Sequence, residues 1–412
     1  MKSVSKKIRP LNLEGQQWAL IILIPFIALI FSKGMFIQLQ SVTIFLACCL
    51  IITKGIKVKT IYFSNLLFFL FFYGTILGLV YTILGDNSFY KCIQYSFLSF
   101  SAYIGFRSAF VYLSKFSIVH IVIFFIAADV LMFFALRFGG HFGRTSIGTT
   151  NLYPALLFLA FNSKIFNKFS IKIGLFILLF FCIIAYLTSG MRSSIGVMIF
   201  SSIIIVLYAF KIKNVGKILR ISVLGGVLLL LMNVFVPSNF FDNVIKQLDN
   251  VAYRFQTTLL NDEGFRLDSK KGEGRDLEAQ SALAKINKNT GVHQILGYGN
   301  GFVYFDQMQS RIKAHLHLTY VAYYVRYGIL GLFVLASLYL LVIFKSIKSF
   351  FRKKSFENGL SLALWISAIQ ICVISSVAAS LISILHWIII GMAFAYDKYL
   401  ENKKYTNEWQ RL

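Results

Sequence analysis

The chain has 412 residues, 58% of them hydrophobic and 17% aromatic, and only 14% carry charge, against roughly 25% in soluble domains. A water-soluble fold has nowhere to hide that much apolar surface, and the apolar residues gather in runs near the ~20 residues that carry a helix through ~30 Å of hydrocarbon. The formal net charge of +25 does not point to nucleic acid, because the basic residues lie in short clusters between apolar runs and build no continuous basic domain.

In chain order, the first segment, MKSVSKKIRPLNLEGQQW (1–18), is basic and runs into an apolar stretch without a small-residue cleavage site. It is expected to be a retained cytoplasmic end and not a signal peptide. Apolar runs then predict about twelve membrane helices, over 17–32, 36–53, 61–85, 92–113, 117–136, 150–166, 171–188, 194–210, 220–236, 318–344, 359–377 and 380–396. Every second connection is basic: Lys54/Lys57/Lys59, Lys115, Lys164/Lys168, Lys211/Lys213/Lys217/Arg220 and Lys345/Lys348/Arg352/Lys353/Lys354. Cytoplasmic loops are enriched in Lys and Arg, so these connections and both ends of the chain are expected inside. The expected fold class is an all-α polytopic membrane protein in three parts. Residues 1–236 hold helices one to nine, 237–317 form one large periplasmic loop, and 318–412 hold the last three helices and a cytoplasmic tail.

In that loop acidic and basic residues nearly balance, unlike the basic connections, which supports an external location. Within GRDLEAQSALAKINKNTG (274–291), Ala279, Ala282, Leu283 and Ile286 recur at the spacing of one helix face. GYGNG (297–301) reads as a glycine-rich turn. A small helical subdomain at the outer mouth of the bundle is expected. The five cysteines, Cys48, Cys49, Cys92, Cys182 and Cys372, all fall in predicted spans and offer neither a disulfide framework nor metal spacing.

Titratable groups are scarce, so their positions matter. Two of the six histidines, His315 and His317, sit just before the span at 318–344. Two apart on a helix they would diverge and share no metal. The residues leave two readings: interfacial rings at headgroup level, or one imidazole acting as a base. Arg192 in LTSGMRSSIGV (187–197) lies at an outer helix end and suits a phosphate partner. Arg144 and Asn151 share another outer loop with glycines. Arg107 and Asp129 lie within adjacent spans, as a structural ion pair or part of an ion pathway. Asp276 and Glu278 diverge on the predicted loop helix and read as a solvated face.

Together the outer loop before span ten, the outward SGMRSS, the LGYGNG turn and the HLH…G..G start of span ten resemble the bacterial O-antigen ligase and polymerase superfamily. In its ligases a histidine is followed by Asn, Ser or Gln, nine residues and G-x-x-G. Here His317, Gly328 and Gly331 match, while Leu318 departs from the pattern and favours the polymerase. The polymerases' R-x10-G pattern is met from Arg137 to Gly148 and not in the large loop.

The resemblance implies a bundle like that of other polytopic glycosyltransferases, in the bacterial inner membrane, with its active site facing the periplasm. The donor would be an oligosaccharide on undecaprenyl pyrophosphate and the acceptor a second glycolipid. His317 and Arg192 would be catalytic, and Arg144, Asn151, Arg275, Arg311 and His315 would bind substrate. No metal or cofactor enters that scheme. Partners would be the lipid-linked substrate, membrane lipid, a chain-length regulator and a flippase. A ligase is the alternative. A transporter is the rival of a different class, although paired Gly/Pro-broken segments in corresponding halves are missing.

Overall fold

The computed structural model describes residues 62–115, 117–138, 149–162, 169–188, 192–210, 275–288, 291–306, 310–377 and 384–409. The chain is mostly helical there. Helix α1 is Tyr62–Ile83, α2 Phe89–Lys115, α3 Ile118–Phe138, and a 3₁₀ turn at Thr149–Leu152 leads into α4, Tyr153–Phe161. Then come α5 at Phe169–Thr188, α6 at Arg192–Phe210, α7 at Arg275–Lys288 and α8 at Gly291–Leu296. Strands β1 (Tyr304–Asp306) and β2 (Arg311–Lys313) precede α9 at Thr319–Phe351, α10 at Phe356–Val377 and α11 at Ile384–Trp409. Among the described residues four helices are long and apolar enough to cross a membrane: α1, α5, α9 and α10. The expected spans at 17–32, 36–53 and 220–236 lie outside the described residues.

Two elements differ from the sequence expectation in extent. Over 150–166 the helix α4 has only 9 residues, about 14 Å at 1.5 Å per residue, well short of the hydrocarbon thickness. Pro154 stands in its first turn, and it ends where the Asn162 side chain donates to Phe158 O at 2.9 Å. Its residues from Tyr153 to Ala160 are all buried, so it packs inside the bundle. Helix α9, by contrast, runs past 344 to Phe351, and near that end Lys345 and Arg352 pair with the buried Asp397 on α11, at 2.6 and 2.5 Å.

The bundle core is aromatic. Trp365 and Trp387 are fully enclosed, and Phe71 and Phe106 meet Trp387 edge-on at 6.2 Å. Helices α2 and α11 pack closely, each presenting a glycine to the other. A Cβ on Gly391 would stand 2.5 Å from Phe106 O, and one on Gly105 2.8 Å from Ile384 O. Close backbone approach through small residues is how membrane helices gain dispersion contacts without a hydrophobic drive. The outward faces carry exposed Phe69, Phe72, Ile329, Phe333 and Phe344, which suits lipid.

The elements that precede α9, from α7 to the hairpin, are fastened to this bundle by a backbone seam. Gly328 has φ 61° and ψ −150° and breaks the helical hydrogen bonding of α9. The carbonyls this leaves open are taken by the GYGNG turn: Tyr298 N donates to Val325 O and Gly299 N to Arg326 O, both at 2.8 Å. Asn300 N then donates to Gly74 O of α1 at 2.8 Å. Positive φ at Gly299 (74°), and approaches so tight that a Cβ there would lie 2.1 Å from Gly78 N, admit no other residue. The Asn300 side chain is fully buried and satisfied: Nδ2 donates to Thr75 and Ser96, and Oδ1 accepts from the Tyr327 hydroxyl.

Gly391→Leu is expected to overpack the α2–α11 contact at a cost of about 1–3 kcal/mol, lowering the thermal unfolding midpoint in detergent. Gly174→Leu on α5, where a Cβ meets open space, is expected to leave that midpoint unchanged.

Candidate active site at the start of α9

Segment 314–318 is not helical. Ala314 and Leu316 point inward, 4% and 1% exposed, so strand-like alternation sends His315 and His317 outward together. Their rings meet edge-to-face at 4.8 Å. The expectation that they diverge assumed a helix, and it is corrected here.

His317 is oriented by Glu278. The carboxylate Oε2 lies 2.8 Å from His317 Nδ1 and also accepts the His317 backbone N–H at 3.2 Å. Glu278 is 5% exposed, which corrects its reading as part of a solvated face. Helix α7 explains why: Ala279, Ala282 and Ile286 are buried against the bundle-side cluster and Leu283 packs beside them. Glu278 stands one helical repeat before Ala282 in the same stripe. A lone carboxylate in an apolar stripe was the sequence signal for it.

The second oxygen is also engaged. The Tyr304 hydroxyl lies 3.0 Å from Glu278 Oε1 and 2.9 Å from His315 O, two acceptors for one proton. Lys313 Nζ stands 4.0 Å from Oε1 and pairs closely with the buried Asp306. These contacts come from the two-stranded hairpin, in register Tyr304↔Lys313 and Asp306↔Arg311, which buries Tyr304 and Asp306. Burial alone would push the Glu278 carboxyl up. The hydrogen bonds from the His317 ring and backbone, the charge of the ring and the Tyr304 hydroxyl outweigh it and hold the carboxyl below its ordinary value. Tyr304 is pushed up, first by burial and then by Glu278.

With Nδ1 turned to a carboxylate, the tautomer that donates there leaves Nε2 as the acceptor. Nε2 has no protein partner among the described residues, and the His317 side chain is 42% exposed. The ring is therefore set to accept a proton from outside, and the carboxylate is set to stabilise the resulting cation. His315 is exposed at its side. Enough protein crowds it to push its pKa down to about 4, with the charges of His317 and Arg326 acting the same way.

The remaining expected residues are distributed differently. Arg311 is exposed on β2, opposite Asp306. Asn151 is 3% exposed inside the 3₁₀ turn. Arg192 and Arg275 open α6 and α7, their side chains outside the described set, and Arg144 lies outside the described residues. Arg107 is half-buried on α2, and the Asp129 side chain on α3 is outside the described set. Sequence reading passed over Arg326, a charge inside the apolar run of α9 and a functional signal in its own right. It is 4% exposed, its guanidinium lies 3.8 Å from the Tyr95 ring centroid, and Nη2 donates to Ala314 O at 3.1 Å. Among the described residues no three His, Cys, Asp or Glu side chains gather as metal ligands.

No known protein-family model matches the chain, and no curated protein matches it.

The lowered pKa of Glu278 sets a pH dependence. Its contribution to stability is fully present above the ordinary value of 4.5 and is lost as acidification passes through the lower folded value. Thermal unfolding of the wild type is expected to show that acid loss. Glu278→Gln is expected to be less stable at pH 7 and to lack the Glu278 part of the acid loss; an identical pH profile would remove the carboxylate from this role.

Proposed function

We propose that the protein is a bacterial inner-membrane glycosyltransferase of the O-antigen polymerase type, with about twelve membrane helices and its site facing the periplasm. It moves a glycan chain from undecaprenyl pyrophosphate to a hydroxyl of an incoming lipid-linked repeat unit. The observation that carries this reading is the His317–Glu278 pair at the outer start of a membrane helix, 2.8 Å apart, with the opposite ring nitrogen open. In the proposed reaction the acceptor oxygen bonds to the donor's anomeric carbon as that carbon's bond to the pyrophosphate oxygen breaks. The hydroxyl proton goes to His317 Nε2, and the electron pair leaves on the pyrophosphate. Pyrophosphate is already a good leaving group, so the protein supplies a base for the nucleophile and cations for the departing charge. Arg192 at the start of α6 is one proposed cation. The basic end of α9 and α10, with Lys348, Arg352, Lys353 and Lys354, supports placing that end in the cytoplasm. Position 318, Leu where ligases carry a polar residue, favours polymerase over ligase.

Deleting the gene and running the surface lipopolysaccharide on a gel tests the reading. A polymerase leaves core carrying a single repeat, a ligase leaves core alone, and an unchanged ladder overturns both. In a well-expressed strain, His317→Ala is expected to reduce chain extension by about 10² to 10⁴-fold. His317→Ala with wild-type chain length would remove the ring from the chemistry. Glu278→Gln, which keeps shape but not charge, is expected to give a smaller loss seen in kcat.

A further inference from the structure

Arg326 carries a charge that the described residues leave unanswered. It is 4% exposed and stands two positions before the break at Gly328. Of its three guanidinium nitrogens, Nη2 donates to Ala314 O at 3.1 Å, whereas Nε is enclosed and faces no acceptor. No carboxylate pairs with it among the described residues. The two buried carboxylates described near it are held by other groups, Glu278 by His317 and Tyr304, and Asp306 by Lys313. A cation taken out of water with only a carbonyl and an aromatic face for company is costly, and in membrane proteins such charges serve a ligand or a partner.

The surroundings suit an oxyanion. Tyr95 covers one face of the guanidinium at 3.8 Å, which fixes its plane and leaves the edge for hydrogen bonding. A fixed planar fork matches the paired oxygens of a phosphate better than a point charge does. Ala314, whose carbonyl receives Nη2, immediately precedes His315, so the guanidinium lies beneath the strand that presents both histidines. The charge of Arg326 is felt at His315, which it helps keep neutral.

We propose that Arg326 is an oxyanion-binding residue of this site, taking as its counter-ion the diphosphate of a lipid-linked sugar donor beneath the His315–His317 strand. The inference rests on the reading of the protein as a transferase with a diphosphate donor. It gives the departing pyrophosphate a specific cation, at the foot of the base that activates the acceptor.

The test is thermal unfolding of the purified full chain in phospholipid-free detergent, titrated with inorganic pyrophosphate at ionic strength balanced with chloride. The wild type is expected to gain about 3 °C or more at saturation. Arg326→Gln is expected to lose the gain, Arg326→Lys to keep part of it, and Lys288→Gln, which removes an exposed charge on α7, to keep all of it. No gain beyond chloride in the wild type, or a full gain in Arg326→Gln, overturns the site. Should Arg326→Gln fail to fold, phenylglyoxal labelling of the wild type decides: pyrophosphate is expected to protect Arg326 and not Arg352, and equal labelling with and without it overturns the site. In nanodiscs containing phosphatidylglycerol the pyrophosphate gain is expected to persist; if the lipid abolishes it, the occupant is a headgroup phosphate and the donor assignment falls. None of these readouts needs turnover. A polymerase phenotype without pyrophosphate binding sinks the Arg326 site alone, and binding with an unchanged ladder in the deletion strain sinks the polymerase reading alone.

Discussion

A carboxylate taken out of water must recover its hydrogen bonds from the protein, and Glu278 recovers them from two directions. The backbone and ring of His317 come from the strand leading into α9, and the Tyr304 hydroxyl from the hairpin. Those donors belong to segments that share little sequence neighbourhood, so one buried oxygen pair fixes α7, the hairpin and the histidine strand to one another. Asp306 and Lys313 repeat the device within the hairpin. The catalytic geometry proposed for His317 is therefore a by-product of satisfying a buried charge. Loss of the carboxylate would disturb position as well as chemistry.

The bundle obeys the same rule at its other end. Asp397 is 2% exposed and receives Lys345 and Arg352, tying the far end of α9 to α11. Between these two charged knots α9 passes apolar residues to its surroundings and small or hydroxylated ones to its neighbours: Thr319 donates to Ser375 O at 2.7 Å, and Tyr339 meets Ser375 at 3.2 Å. Polar groups in a helix at membrane depth persist only when turned inward and partnered.

Much of this was legible because lipid demands long apolar runs, and such runs are visible to the eye. The apolar stripe of α7 was legible for a different reason: helical spacing survives even in a helix of mixed polarity. The hairpin was not, since three-residue strands fall below any periodicity and this one turns Phe305 and Ile312 outward, 57% and 72% exposed, with Tyr304 and Asp306 within. The mutual placement of His315 and His317 was misread because the helix starts only at Thr319, and the preceding residues alternate like a strand. Glu278 was misread by judging it against Asp276 instead of against Ala282. Arg326 was hidden by the apolar run around it. At the early end of α4 the Asn162 side chain folds back on its own helix, which composition does not announce.

The seam at Gly328 has a topological consequence. Tyr298 and Gly299 hydrogen-bond to Val325 and Arg326, so the chain that leaves the seam returns to it, enclosing the hairpin and both histidines in a ring whose two ends are stitched together. Inside the ring Asn300 also bonds Gly74 and Thr75 of α1 and Ser96 of α2, so the ring is tied to the bundle as well as to itself. The segment from 298 to 326 behaves as a cassette. Its length is set by the need to close, and Gly299 and Gly328 at its clasp, both at positive φ and with backbone within 2.1 Å of any added Cβ, are the positions that leave closure least freedom.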